Sequence, residues 1–224
     1  MCWASWGIAN LAATALHVRQ QVWAILEYGT MRGGVLDRHA AVLVLTTGWC
    51  AMHTADDERF LRLAIALAHQ ARRQGADPFG AVLVADGAVV HQVYDRSVEH
   101  SDPTFHAELS LISEYCRAQR RFSLEGYSLY ASTEPCPMCA GAIHWARISR
   151  VVFSVTQAML QQLSGGHPKP GCASIINAGH RQVAIIGPLL PDEGLAVFDG
   201  YTFIPKVERH RALAAGGPAS RPAR

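Results

Sequence analysis

The sequence predicts an α/β fold in which helices cover both faces of a mixed β-sheet. Three observations support this prediction. A helical apolar pattern is followed by a strong hairpin signal, and after the hairpin helices and strands alternate along the chain. Hydrophobic residues make up 50% of the 224 residues, which suits one globular domain with additional sequence at its ends.

The regular pattern of predicted helices and strands begins near Met52. Thr54 and Asp57 have the spacing of a helix start, with acidic side chains at the positive end of the helix dipole. Apolar residues then recur at helical spacing on one face, at Phe60, Ala64, Leu67 and Ala71. We predict that this helix ends at Gly75, because Asp77-Pro78 does not continue it.

Two apolar segments follow, Gly80–Ala85 and Ala88–Tyr94, and they flank Asp86-Gly87. Asp-Gly between such segments is a strong signal for a tight hairpin turn. Pro103 is predicted to lie in the first turn of a helix that extends to residue 121. The rest of the pattern predicts strands at 127–132, Arg150–Val155 and 182–186, and helices at 137–147, 157–163 and 192–198.

The predicted domain spans residues 52–204, and the sequence on either side differs in character. Residues 1–51 are Trp- and Ala-rich with weak periodicity, and we interpret them as an extension that the domain does not need. The alternative is that their apolar residues pack on the domain or mediate assembly. Residues 205–224 are rich in Ala, Gly, Pro and Arg and are predicted to be disordered. The apolar stretches at 6–18 and 40–52 are shorter than the roughly 20 residues of a membrane helix, so we expect no membrane anchor.

Charge and cysteine content narrow the possible functions. The formal net charge is +2, so no overall electrostatic footprint for nucleic acid is present. Of the six cysteines only Cys136 and Cys139 are closely spaced, and no secretion signal precedes them. We interpret the others as buried or free thiols of a protein in the reducing cytoplasm.

Two short segments carry residues suited to chemistry, His106-x-Glu108 and Pro135-Cys136-x-x-Cys139. The combination of H-x-E with P-C-x-x-C is the pattern of zinc deaminases. Cysteines three residues apart at a helix start direct both thiolates to one point, and His106 can add a neutral nitrogen ligand. Three protein ligands leave the fourth position of a tetrahedral Zn2+ ion for water, which is typical of catalytic rather than structural sites.

Glu108 lies two residues from His106 and is therefore close to the metal without being forced to bind it. We expect its carboxylate to accept a proton from water and to return it to the substrate. A structural zinc site would need a fourth ligand, for which His144 and Cys172 are candidates that no pattern places. A redox C-x-x-C would leave His106 and Glu108 without a role.

The sequence from residue 54 to about 200 resembles the cytidine/deoxycytidylate deaminase superfamily. The similarity lies in Pro78-Phe79-Gly80-Ala81-Val82, in Asp102-Pro103-Thr104 and in the run from Glu134 to Arg147. It is strongest in the branch that holds guanine deaminases, fungal-type cytosine deaminase and bacterial tRNA adenosine deaminase, and the last run is especially similar to bacterial guanine deaminases. The resemblance implies a three-layer α/β/α fold with a five-stranded mixed sheet, and a homodimer or larger assembly.

The resemblance also implies roles for single residues. Zinc would be bound by His106, Cys136 and Cys139, and Glu108 would transfer protons. Phe79 and Trp145 match positions whose rings pack against a flat substrate, and core packing is the alternative for each.

Relatives carry Asn eleven residues before the zinc histidine, where this chain has Asp95. An ionised Asp only accepts hydrogen bonds, so Asp95 is expected to favour a substrate edge with N–H groups, or else to pair with Arg96 or another cation. Tyr201 and Phe203 follow the last predicted helix, where relatives use a terminal aromatic segment to close the pocket. We expect one of these two rings to cover the substrate and exclude water.

Three functions are consistent with these features. The first is a deaminase of a free nucleobase, nucleoside or related amino-heterocycle, of the guanine or cytosine/isocytosine type. The second, a tRNA-specific adenosine deaminase, would need basic surface for RNA, and the sequence after Val155 lacks a clear basic cluster. The third, a non-catalytic zinc-stabilised binding module, is disfavoured because the complete set of zinc ligands and Glu108 is present.

Overall fold

The computed structural model describes residues 53–215 of the chain. Its helices and strands follow in the order α1 Ala55–Arg73, β1 Gly80–Ala85, β2 Ala88–Tyr94, α2 Ala107–Gln119, β3 Ser128–Thr133, α3 Pro137–Trp145, β4 Arg150–Val155, α4 Gln157–Ser164, α5 Cys172–Ile176, β5 Ala184–Ile186, α6 Pro191–Ala196 and α7 Lys206–Ala214. The predicted extension at 1–51 lies outside the described residues, so its dispensability stays a prediction.

The five strands form one mixed sheet in the order β2-β1-β3-β4-β5. β1 pairs antiparallel with β2 and with β3, whereas β3 with β4 and β4 with β5 pair parallel. The β1–β2 hairpin turns at Asp86 and Gly87, which both have the positive φ that the tightest hairpin turn requires. The predicted mixed five-stranded sheet is therefore confirmed.

Helices cover both faces of this sheet. Side chains alternate between the faces along each strand, so Leu83 belongs to one apolar core and Val82 to the other. The first core lies under α2, α3 and α5 and includes Leu111 and Ile143. The second lies under α1 and α6 and includes Phe60. Within residues 53–215 no helix combines the length and the apolar character needed to cross a membrane.

A close approach of α1 to β1 fixes the start of the hairpin. A Cβ atom at Gly80 would lie 2.3 Å from the carbonyl oxygen of Ala64, so no side chain fits there. The neighbouring Phe79 carbonyl accepts a hydrogen bond from the Asp95 N–H at 3.0 Å. Gly80 is paired with Tyr94, the last residue of β2, and this end of the sheet is also where β3 and β4 end.

The helix predicted to start at Pro103 begins instead at Ala107. The Asp102 side chain accepts hydrogen bonds from the backbone N–H and the hydroxyl of Thr104, at 2.8 and 2.6 Å. These local hydrogen bonds stabilise a turn, and this turn replaces the first turn of the predicted helix. His106 is consequently the N-cap residue of α2, with extended backbone, rather than a residue of its first turn.

The prediction that residues 205–224 are disordered is wrong for its first part, because residues 206–214 form α7. Composition suggested disorder, but Lys206 and Arg209 form ion pairs with the carboxylates of Asp95 and Asp77. These tertiary contacts stabilise a helix whose own sequence gives only a weak signal. Residues 216–224 lie outside the described part of the chain.

Candidate metal centre

The three predicted metal ligands come together where α2 and α3 begin. His106 Nδ1 lies 3.6 Å from Cys136 Sγ and 3.8 Å from Cys139 Sγ, and the two sulfur atoms are 3.7 Å apart. His106 and Cys136 are the N-cap residues of α2 and α3, and Cys139 lies in the first turn of α3. Two helix N-termini therefore adjoin the cluster, and their positive ends favour negatively charged sulfur.

The donor set and its spacing fit zinc. Tetrahedral zinc, with Zn–S of about 2.3 Å and Zn–N of about 2.0–2.1 Å, holds such ligand atoms roughly 3.5–3.8 Å apart. The observed separations of 3.6, 3.7 and 3.8 Å agree with this requirement. Among the described residues no fourth His, Cys, Asp or Glu belongs to this group. His144, considered above as a fourth ligand, instead hydrogen-bonds through Nδ1 to the carbonyl oxygen of Ile176.

Glu108 lies in the first turn of α2, and its carboxyl group is buried beside the cluster. Its Oε2 atom is 3.5 Å from Cys139 Sγ. Burial, with a smaller contribution from the negative charge of Cys136, raises the pKa of Glu108 to about 7. A carboxyl group with a pKa near neutrality can both accept and donate protons at physiological pH.

The two cysteines differ in acidity when no metal is bound. Hydrogen bonds from Cys139 and His106 outweigh burial and lower the pKa of Cys136 to about 3. The pKa of Cys139 is raised, because its thiol donates to Cys136 and is buried next to Glu108. Metal binding must therefore displace the proton of Cys139.

Glu134 fixes the segment that leads to the first cysteine ligand, and sequence reasoning did not single it out. Its buried carboxylate accepts the backbone N–H groups of Gln157 at 2.9 Å and of Cys172 at 2.8 Å. Its own N–H donates to the carbonyl oxygen of Val155 at 2.7 Å. One carboxylate thus joins the end of β3 to the starts of α4 and α5. The sequence feature that could have identified Glu134 is its position directly before the P-C-x-x-C motif.

Asp95 is buried, and both of its carboxylate oxygens have partners. Oδ1 accepts the backbone N–H and the hydroxyl of Ser97, at 3.0 and 2.6 Å. Oδ2 accepts a hydrogen bond from Lys206 Nζ at 2.7 Å. The expected pairing of Asp95 with Arg96 is wrong, because Arg96 pairs with Glu114 at 2.5 Å. The alternative, that Asp95 pairs with another cation, is confirmed, and that cation is Lys206.

Phe79, Tyr201 and Phe203 come together around Phe198. The ring centroids of the three lie 6.0, 6.4 and 5.7 Å from that of Phe198, and all three pack on the core under α1. For Phe79 this is the core packing that was the alternative to substrate contact. The Tyr201 hydroxyl also donates to Asp77 Oδ1 at 2.8 Å. Coverage of a substrate by Tyr201 or Phe203 stays a prediction.

Trp145 lies away from the metal ligands. It is the last residue of α3, whereas Cys139 lies in the first turn, and a rise of about 1.5 Å per residue separates the two by about 9 Å along the helix axis. Its side chain is 79% exposed, and its ring contacts that of His144 at 5.9 Å. Packing of this ring on a substrate therefore stays a prediction.

A second group that sequence reasoning missed lies beside Asp95. Lys206 Nζ donates to Ser97 Oγ at 2.6 Å and lies 3.3 Å from Asp77 Oδ2. The buried guanidinium of Arg209 contacts Asp77 Oδ1 and the carbonyl oxygen of Gly75. The sequence feature that could have drawn attention to Lys206 is the rarity of its residue type, since it is one of only two lysines in the chain.

Comparison with known proteins places these features in a family. The family model of the cytidine and deoxycytidylate deaminase zinc-binding region matches residues 54–155. Guanine deaminase of Bacillus subtilis (strain 168) is 42% identical over 98 residues, which is 43% of this chain and 63% of that protein. A probable cytosine deaminase of Schizosaccharomyces pombe is 33% identical over 150 residues, which is 65% of this chain and 91% of that protein.

A solved structure shows the same fold. It comes from studies of A-to-I editing by tRNA:A34 deaminases and is 32% identical, with a TM-score of 0.53. The superposition covers 62% of this chain and 99% of the other. The predicted cytidine deaminase-like fold is thereby confirmed, and the three relatives are described as acting on different substrates.

Proposed function

The chain belongs to the cytidine and deoxycytidylate deaminase family, and from this we propose that it is a zinc-dependent hydrolase that releases ammonia from a free nucleobase, nucleoside or related amino-heterocycle. One observation carries the proposal. His106, Cys136 and Cys139 converge at the spacing that zinc requires, and the buried Glu108 carboxyl group lies beside them.

The residues of the centre divide the work of hydrolysis. His106, Cys136 and Cys139 would hold Zn2+, which when bound supplies Lewis-acid activation of water. Glu108 would take one proton from that water at its carboxylate and pass it to the ring nitrogen beside the carbon that bears the amine. As the oxygen of the water bonds to that carbon, Glu108 would take the second proton of this oxygen and give it to the amine, so that the C–N bond breaks, ammonia leaves and a C=O group remains. The raised pKa of Glu108, about 7, suits a group that both takes and gives protons.

One group of surface arginines is poorly placed to bind RNA at the metal centre. Four arginines lie at or just beyond the C-terminal ends of α2 and α3, namely Arg117, Arg120, Arg121 and Arg147. The metal ligands lie at the N-terminal ends of the same two helices. RNA binding depends on cations that contact phosphates around the reacting base. These arginines are at the wrong end of the helices for that role.

A tRNA-specific adenosine deaminase is the second candidate, because the likeness to the tRNA:A34 deaminase structure covers 99% of that chain. The relatives named as guanine and cytosine deaminases support the first candidate equally. The two candidates differ in the position of the amine and in the size of the substrate. They are therefore separable by direct assay.

The proposed assembly is a homodimer formed through α3. Along this helix Met138 is half-buried, a Cβ atom at Gly141 would meet nothing within 4 Å, and Trp145 is exposed. An exposed Trp at the end of such a face is typical of a buried contact between subunits. Sedimentation velocity of the full chain and of Trp145→Ala tests this, and a dimer that survives the substitution contradicts the proposed contact.

The proposed location is the reducing cytoplasm, where thiols such as those of Cys116 and Cys172 stay unpaired.

The activity is tested by ammonia release from a panel of compounds. Zinc-loaded protein is incubated with guanine, cytosine, isocytosine, adenine, their nucleosides and tRNA. Release from a free base or nucleoside, but not from tRNA, is the expected result. Release from tRNA alone would establish the second candidate. Zinc binding without release from any compound would favour the binding module.

A further inference from the structure

The end of the domain at which α2 and α3 finish carries a group of arginines that the proposed mechanism does not use. This end lies opposite to the metal ligands, and the 13 residues of α2, at about 1.5 Å each, separate the two by about 20 Å. Five arginines and one aromatic residue that are exposed or half-buried here form what we call the arginine surface, namely Arg117, Arg120, Arg121, Phe122, Arg147 and Arg181.

Hydrogen bonds bring together the three segments that carry these side chains. The N–H of Leu124 donates to the carbonyl oxygen of Ala146 at 2.7 Å, so the segment after α2 adjoins the segment after α3. The Arg181 guanidinium donates to the carbonyl oxygens of Arg147 at 2.7 Å and of Ile148 at 3.0 Å. The five arginines therefore lie in one region of the surface.

These arginines keep their positive charge without a carboxylate partner. Within residues 53–215 none of the five forms an ion pair, whereas Arg96 and Arg150 elsewhere each bind a carboxylate. The Arg121 guanidinium donates to the neutral Tyr127 hydroxyl at 2.6 Å, as that of Arg181 does to main-chain oxygens. Such bonds orient a guanidinium group and leave its charge uncompensated.

The charge of the region exceeds what the helix ends can use. Its three segments are residues 117–127, 144–149 and 180–182, and Glu125 is the single acidic residue among them. Five arginines and one glutamate give a net charge of +4 with histidine neutral. Arginines commonly stabilise the negative ends of helices, but the ends of α2 and α3 together supply only about −1. A net charge of about +3 therefore remains for an outside partner.

The residue types indicate the chemistry of that partner. All the cations are arginines, whose planar guanidinium groups bind phosphate through two parallel hydrogen bonds and also stack on flat rings. The Phe122 side chain is 93% exposed, so both faces of its ring are open to a partner. We propose that the arginine surface binds single-stranded nucleic acid, with the arginines on its phosphates and the Phe122 ring stacked on a base. This inference goes beyond the proposed function, because a strand bound here lies away from the metal centre.

Two other polyanions fit this surface less well. A duplex keeps its base faces stacked inside, so the Phe122 ring would have no base to pack on. A bilayer surface attracts cations too, but firm binding needs several apolar side chains that insert. Apart from Phe122, the large apolar side chain exposed at this end of the described residues is Trp145. A single strand uses both the charge and the single ring.

Binding is measured by fluorescence anisotropy with the zinc-loaded full chain and a fluorescein-labelled RNA of ten uridines. Uracil has no exocyclic amine, so this probe cannot be a substrate of the proposed reaction. Binding should weaken with salt, with a slope of about −2 to −3.5 in a plot of log K against log salt concentration. This slope corresponds to three to five phosphate contacts at about 0.7 each.

Arg120→Gln combined with Arg147→Gln removes two of the charges. Both side chains are exposed, so the substitutions spare the core. The affinity should fall about 10- to 100-fold, as expected for loss of two charge-assisted contacts at an exposed site. The salt slope should become shallower by about 1.4. Arg73→Gln combined with Arg211→Gln is the matched control, because these exposed arginines lie in the last turns of α1 and α7, and it should bind like the unaltered protein.

Phe122→Ala tests the stacked ring. It should weaken binding about 5- to 150-fold without changing the salt slope, since stacking on a base contributes about 1–3 kcal/mol. Phe122→Tyr keeps an aromatic face and should keep the affinity.

Several results would overturn the proposal. They are absence of binding at 50 mM salt, equal affinity of the Arg120/Arg147 variant, and an equal loss in the control variant, which would indicate only diffuse attraction. Binding of a ten-base-pair RNA duplex as tightly as the single strand would exclude stacking on Phe122. Binding to phosphatidylserine vesicles but not to the RNA would identify a membrane surface instead. Because the probe carries no amine, failure of ammonia release from every compound contradicts the proposed function and leaves this result unaffected.

Discussion

Replacing Glu134 by Gln tests how the centre is held together. The carboxylate accepts two backbone N–H groups, at 2.9 and 2.8 Å, in a buried position. The amide of Gln keeps one acceptor but turns an N–H₂ group towards the second donor. One charge-assisted hydrogen bond, of about 1.5–3 kcal/mol, is lost, and one backbone donor is left without a partner, at about 1–3 kcal/mol. We expect the free energy of unfolding to fall by about 2–4 kcal/mol, because the two costs overlap.

Urea unfolding of the zinc-loaded protein, followed by circular dichroism, measures this change. Glu125→Gln is the matched control, since Glu125 is exposed, and its effect should stay within about 0.5 kcal/mol. Zinc content, measured by elemental analysis in parallel, should also fall in Glu134→Gln because the segment before Cys136 is loosened. A Glu134→Gln protein as stable as the control would refute the reasoning, since the carboxylate could then not be what joins α4 and α5 to β3.

Five further changes address the other parts of the protein. Glu108→Gln should keep zinc but lower turnover about 10²–10⁴-fold. Because the pKa of Glu108 is raised from 4.5 to about 7, its contribution to stability is complete below pH 4.5 and is lost as the pH rises through 7. The metal-free unaltered protein should lose about 3 kcal/mol over that range in urea unfolding, and Glu108→Gln should not. Cys136→Ser and Cys139→Ser should bring zinc below one ion per chain by elemental analysis and lower the Tm. Truncation after Asp199 should reduce kcat/KM far more than zinc content, since it removes the C-terminal segment. Deletion of residues 1–51 should preserve circular dichroism, zinc content and turnover.

Each of these outcomes can fail. Near-normal turnover in Glu108→Gln excludes it as the proton carrier, and a full zinc complement in either cysteine variant excludes that ligand. Cys116→Ser is the control for the cysteine variants, because Cys116 is a free thiol away from the cluster. Unchanged kinetics after truncation contradict any role of the segment in the site. Aggregation after deletion of 1–51 would show that these residues cover apolar surface.

Features that depend on neighbouring residues could be predicted from the sequence. The hairpin followed from Asp86-Gly87, and the start of α1 from Thr54 and Asp57, whose side chains and backbones form the reciprocal cap. The metal ligands followed from spacing, because two helix starts place them in a way that depends little on the rest of the fold. The start of α2 was misplaced where two local tendencies compete, Pro103 favouring a helix and the Asp102 side chain favouring a turn.

Features that depend on distant partners could not be predicted. Lys206 and Asp95 are 111 residues apart, and nothing in either segment announces the pairing. Helix α7 is stable because of that pairing and the pairing of Arg209, so composition alone indicated disorder. Periodicity likewise predicts that the Trp145 ring lies outside the core, as its exposure shows, but not what the ring contacts.

The order of these residues along the chain bears on how such a protein evolves. The metal ligands and Glu108, the proposed proton carrier, all lie between residues 106 and 139, whereas the contacts from Tyr201, Lys206 and Arg209 come from the last helix and the segment before it. Mutation or recombination confined to the end of the gene can therefore alter the packing around Asp77 and Asp95 while the metal ligands and Glu108 are inherited intact. A lineage could in this way vary one end of the domain without first losing the set of metal ligands.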